Sequence, residues 1–108
     1  MALITHVSPT AGFRINEKRN SDIASGFYWA AKDATFDTDA KSLSLVTGRV
    51  AKIQAQNLLS VSAPDFYWRA SDNTDHLFTA PEFLEFAVAM DNWVESKYIE
   101  SWVAKAAL

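Results

Sequence analysis

The stretch that most constrains the fold is Thr79-Ala80-Pro81-Glu82 and the apolar run behind it. A Thr oxygen can accept from the free backbone donors of a first helical turn, and a Glu three residues later can reach back to the Thr amide. Pro is tolerated at a position where no amide bond is needed. A long closing helix is therefore expected over 79–107, with Thr79 as its N-cap. Behind the cap, Phe83, Phe86, Ala87, Met90, Val94 and Tyr98 recur at steps of three and four, while Glu82, Glu85, Asn92, Ser96 and Glu100 collect on the other side. One stripe is built for burial and one face for water.

The same helix carries a second apolar row. Leu84, Val88, Ile99 and Trp102 fall along it, interrupted by Asp91 and Glu95, and the chain closes on Ala106, Ala107 and Leu108. Burying one large side chain is worth about 1.5–3 kcal/mol, so leaving several in water forfeits stability. Two readings follow: a small domain that wraps two sides of its main helix, or a docking face for a partner chain.

Upstream, Phe66-Tyr67-Trp68-Arg69 has the aromatic density of a strand, Ser71-Asp72-Asn73-Thr74 has turn residues, and His76-Leu77-Phe78 makes the return strand, a hairpin over 65–78. The phrase occurs twice. Phe27-Tyr28-Trp29, Ala31, Asp33 and Thr35 match Phe66-Tyr67-Trp68, Ala70, Asp72 and Thr74 at one fixed offset, and each copy precedes a helical pattern. The first hairpin spans 27–36 and turns near Lys32-Asp33. A middle helix over 38–57 follows, capped by Thr38 or Asp39, with Leu43, Val46, Val50 and Ile53 on its inner side. Gly48 inside that helix costs about 1 kcal/mol against Ala, for which a close helix crossing would be a reason.

The fold expected is α+β: two hairpin-plus-helix units packed as one small domain over 16–108. Two copies are too few for a solenoid. In the N-terminal part, Asn16 to Ser25 reads as a short peripheral helix capped by Asn16 and ended by Gly26, with little but Ile23 to bury. Residues 1–15 read as a strand, Ala2 to Val7, or as an arm that orders on a partner. The segment lacks the charged lead and long apolar core of a secretion signal, and no apolar run is long enough to span a bilayer, so a soluble protein is expected.

Composition narrows the chemistry. With no Cys there is no disulfide framework, thiolate nucleophile or thiolate zinc site. Lys and Arg total 10 against 13 Asp and Glu, a net charge of -3, which argues against a nucleic-acid surface; only Arg14, Lys18 and Arg19 cluster. His6 and His76 lack partners at metal-ligand spacing. Asp72, Asn73 and Asp75 lack the alternation, central Gly and distal Glu of a calcium loop. No nucleophile elbow and no phosphate-cradling Gly loop is present. The chain is thus read as non-enzymatic, with no cofactor, metal, nucleic acid or membrane among its expected partners.

In an alternating strand Phe and Trp share one face and Tyr takes the other, so Phe27, Trp29, Phe66 and Trp68 are expected in the core. Tyr28 and Tyr67, with Arg69, form a candidate exposed patch for a protein partner or a sugar. Together with Leu84, Val88, Ile99 and Trp102 they complete the candidate partner-binding residues.

From about Asn16 to Leu108 the sequence resembles a domain of unknown function found in bacteriophages and prophages, commonly in tail proteins and near tail-fibre assembly genes. The residues that carry the resemblance are Phe36-Asp37-Thr38-Asp39, Gly48 with Val50, Phe66-Tyr67-Trp68-Arg69, Asp72-Asn73, Thr79-Ala80-Pro81-Glu82-Phe83, and Tyr98 to Leu108 with its Lys105-Ala106-Ala107-Leu108 tail. The first fifteen residues do not match. The resemblance implies a tail-associated interaction protein, in the virion or in the host cytoplasm during assembly, that contacts tail fibre, spike or baseplate and is compatible with homo-oligomers. A transient assembly chaperone and a carbohydrate-binding module are the alternatives.

Overall fold

The structure, a computed structural model, describes residues 9–108. Its elements are α1 (Pro9–Ala24), β1 (Phe27–Trp29), a 3-10 turn (Ala30–Lys32), β2 (Ala34–Phe36), α2 (Ala40–Leu58), β3 (Phe66–Arg69), β4 (Asp75–Phe78) and α3 (Ala80–Ala106). The fold is α+β, with two antiparallel hairpins, each followed by a helix. The expected strand Ala2 to Val7 lies outside the described residues.

The start of α3 is built as its sequence dictates. Thr79 Oγ1 accepts from the Glu82 amide at 3.2 Å, and Glu82 Oε1 accepts from the Thr79 amide at 2.9 Å. This reciprocal pair satisfies two of the amides that a helix start leaves without partners. Lys32 Nζ donates to the other Glu82 oxygen at 3.1 Å and ties the first hairpin to the same point.

The core is aromatic and centred on two consecutive inward turns of α3. Phe83 and Phe86 are fully buried, as are Phe36, Phe78, Ile53 and Met90. Phe66 and Trp68 of the second hairpin stand against Phe83, with ring centroids at 5.1 and 4.8 Å. Phe27 and Trp29 of the first stand against Phe86 at 6.1 and 5.8 Å. Phe78 of the second hairpin bridges the two, 5.4 Å from Phe83 and 5.3 Å from Phe86, and the rings meet in the tilted and edge-on geometries that ring quadrupoles favour. Tyr28 and Tyr67 point outward, as strand alternation requires.

The two hairpins are joined by the Ser71 amide, which donates to the Thr35 carbonyl at 2.8 Å, and by the Ser71 hydroxyl, which donates to Asp37 at 2.6 Å. Their registers differ. Phe27 faces Phe36, whereas Phe66 faces Phe78, three residues further on than its copy. The extra length is absorbed in an Asx turn: Asp72 Oδ1 accepts from the Thr74 amide at 3.1 Å and from its hydroxyl at 2.6 Å, and Asn73 takes a left-handed φ of 66°. The first hairpin turns instead on a left-handed Asp33.

In α2, Asp39 is the N-cap and accepts from the Ser42 amide. Thr38 is buried and donates its hydroxyl to the Ile23 carbonyl at the end of α1. Val46 and Ile53 are buried, with Leu43 and Val50 packed beside them. Gly48 has no neighbour within 4 Å of where a Cβ would stand, so the close crossing offered as its reason is not there.

The N-terminal expectation needs the largest correction. Helix α1 begins at Pro9, so residues 9–15 are helix and not arm, and Asn16 is an interior residue that accepts from Arg19. Pro9 suits the first helical turn, and Gly12 costs the helix only about 1 kcal/mol. Nor is α1 peripheral. It lies antiparallel along the C-terminal half of α3: Asp22 faces Lys97, Arg19 holds its guanidinium 4.5 Å over the Tyr98 ring, and Lys18 faces Glu100. Ile15 and Ala104 line the same seam, and Ser101 is buried beneath it. Gly26 ends α1 as expected, with φ at 92°.

Candidate functional site

Helix α3 is used on one side only. Hairpins and α2 cover its first half and α1 its second, and the second apolar row faces away from both. Val88 is 62 % exposed, Trp102 57 % and Ile99 44 %, while Leu84 is half-buried. Val103, one turn beyond Ile99, adds a residue that the sequence reading left out; the four-residue step from Ile99 was the available signal. Trp102 leans on Tyr98, whose other neighbour is Arg19, so the indole is braced from α3's own surface and open on its far side.

Toward the hairpin end, the row opens into an apolar groove of about 420 Å³ between α2 and α3. Leu43, Val46 and Val50 form one wall, and Leu84, Val88 and Asp91 part of the other. Ala87, Met90 and Val94 of α3 line it as well. Asp91 and Glu95, both exposed, interrupt the row at its middle.

The tyrosine patch is divided by the fold. Tyr67 and Arg69 border one hollow of about 320 Å³ with Asp37, Ser42, Leu45 and Asn73, and Tyr28 is not among its walls. Tyr28 instead donates to Asp33 at 2.6 Å across its own hairpin, which holds its phenol above the ordinary range. Arg69 is engaged by Asp75 through two nitrogens, at 2.9 and 3.4 Å. That pairing draws the Asp75 carboxyl below its usual range and leaves the guanidinium answered within the chain. The hollow is thus a polar surface whose strongest charge is already matched.

His76 sits 2.9 Å from the Thr74 hydroxyl and edge-on to Phe36, a half-buried strand position. His6 lies outside the described residues. Among the described residues no three His, Asp or Glu converge to hold a metal, and no helix is long and apolar enough to cross a membrane.

A family model described as a domain of unknown function (DUF4376) matches residues 10–108. The chain belongs to this family. The match takes in Thr10 to Ile15, which the sequence resemblance left out, and so covers nearly all of α1 together with the hairpins, α2 and α3. No curated protein and no solved structure matches the chain.

Proposed function

We propose that this chain is a non-enzymatic interaction module of a bacteriophage tail, a structural component or adaptor that docks on a fibre, spike or baseplate protein through the outer face of α3. The observation that carries the docking is the uncovered row Val88, Ile99, Trp102 and Val103, on the side of α3 turned away from the hairpins and α1. An exposed apolar surface of this kind, rimmed by polar residues and divided by Asp91 and Glu95, is the mark of a protein contact. The tail assignment rests on the order and spacing of the Phe36-Asp37-Thr38-Asp39, Phe66-Tyr67-Trp68-Arg69 and Thr79-to-Phe83 segments.

Quantitative mass spectrometry of purified particles from a phage that encodes the chain tests this reading. The chain is expected at a fixed ratio to a fibre, spike or baseplate protein. Its absence from particles, with presence in fibre-assembly intermediates, would make it a transient chaperone, and absence from both would overturn the proposal.

A further inference from the structure

We infer that the partner segment received by α3 is an amphipathic helix, apolar at both ends and basic at its centre. This rests on the docking reading above and adds the chemistry of the partner. Along the outer row the order is Leu84, Val88, then Asp91, Glu95, then Ile99, Trp102. The steps of three and four keep these side chains on one side of the helix, and at 1.5 Å per residue the row is about 27 Å long. A helix of about five turns matches that length.

The acidic centre decides the charge of the partner. The chain's described ion pairs are Lys18–Asp22, Lys32–Glu82, Arg69–Asp75 and Lys97–Glu100; Asp91 and Glu95 belong to none of them. The nearest cation along the helix, Lys97, is committed to Glu100 and to the Trp93 ring. Covering the apolar ends drives association, but it also covers the two carboxylates, and a carboxylate removed from water without a cation opposes binding. A partner with Lys or Arg between two apolar ends answers both demands. A second copy of the same face does not: antiparallel pairing about the middle of the row sets Asp91 of each copy against Glu95 of the other.

Two synthetic helices of about 19 residues provide the probe, each with leucines near both ends on one face. One carries two lysines a turn apart at its centre, the other two glutamates. Calorimetric titration into the full chain is expected to show the lysine helix binding at least about tenfold tighter, with the gap closing as salt rises. The Asp91→Lys, Glu95→Lys double variant, altered only at exposed positions, is expected to reverse the preference. Equal affinity for the two helices, no binding of either, or an unreversed preference would overturn the inference. So would sedimentation showing the chain alone to be a dimer that Trp102→Glu dissolves. Particle incorporation of Trp102→Glu keeps the two levels apart: its loss alongside indifferent peptides retires the charge argument alone, and its persistence retires the docking face as well.

Discussion

Adding the same methyl group at two glycines is expected to move stability in opposite directions. At Gly26 the backbone has a φ of 92°, and a Cβ would stand 2.7 Å from Thr35 Cγ2 and 3.0 Å from the Phe36 carbonyl oxygen. A left-handed conformation costs an L-residue about 1–2 kcal/mol, and overpacking adds about 1–3 kcal/mol. Gly26→Ala should therefore lose about 2–5 kcal/mol. At Gly48 nothing lies within 4 Å, the site is exposed and mid-helix, and Ala should gain about 0.5–1 kcal/mol. For a chain of this length 1 kcal/mol corresponds to about 4 °C in Tm. Thermal unfolding followed by far-UV circular dichroism should then show Gly26→Ala melting roughly 8–20 °C lower and Gly48→Ala roughly 2–4 °C higher. Shifts of the same sign would refute the reasoning. A neutral Gly26→Ala would mean that the α1–β1 reversal is not held in this conformation, and a destabilising Gly48→Ala would mean that α2 has a close neighbour at that point.

Three further outcomes are expected. Phe86→Ala, which empties a site touching both hairpins, should cost about 3–5 kcal/mol by denaturant unfolding; a loss under 1 kcal/mol would contradict the shared aromatic core. Thr79→Ala removes one half of the capping box and should cost about 1 kcal/mol, with Thr79→Ser recovering most of it. The carboxyls of Asp22, Asp39, Asp72, Asp75 and Glu82 are held below their ordinary values by Lys18, Ser42, Thr74, Arg69 and the Thr79 amide respectively. Their contribution is complete above the unfolded carboxylate range of about 4 and is lost as pH falls through the lower folded values. Tm should accordingly be flat from about pH 7 to 5 and fall below about pH 4, and a Tm that rises on acidification would contradict these assignments.

What was legible in the sequence was whatever short-range chemistry decides. The Thr79 cap, the Asp39 cap, the alternation of Phe and Trp against Tyr, and the inward stripe through Phe83, Phe86 and Met90 each follow from a few neighbouring residues. Tyr98 left that stripe, at 37 % exposed, because beyond Trp93, which still packs on Phe27, the packing partner changes from the hairpins to α1. The extent of α1 was illegible because the side it turns to α3 is largely polar: Arg19 stands over the Tyr98 ring, and Lys18 and Asp22, paired with each other, line the seam with Lys97 and Glu100, so no apolar periodicity announces it. The separation of Tyr28 from Tyr67 was hidden for another reason. Identical phrases in the two hairpins suggested one surface, but their pairing registers differ and each tyrosine is set by its own turn. The outer row of α3 was legible as residues, whereas its exposure depended on where α1 and α2 would lie.

The central claim, that the outer face of α3 serves recognition and not stability, is tested most directly by Ile99→Glu combined with Trp102→Glu, compared with the parent chain for Tm and for incorporation into particles. Both side chains are about half exposed or more and border no buried cluster, so Tm should stay within roughly 4 °C of the parent while incorporation falls to background. A double variant that unfolds, or one that assembles as the parent does, would contradict the account.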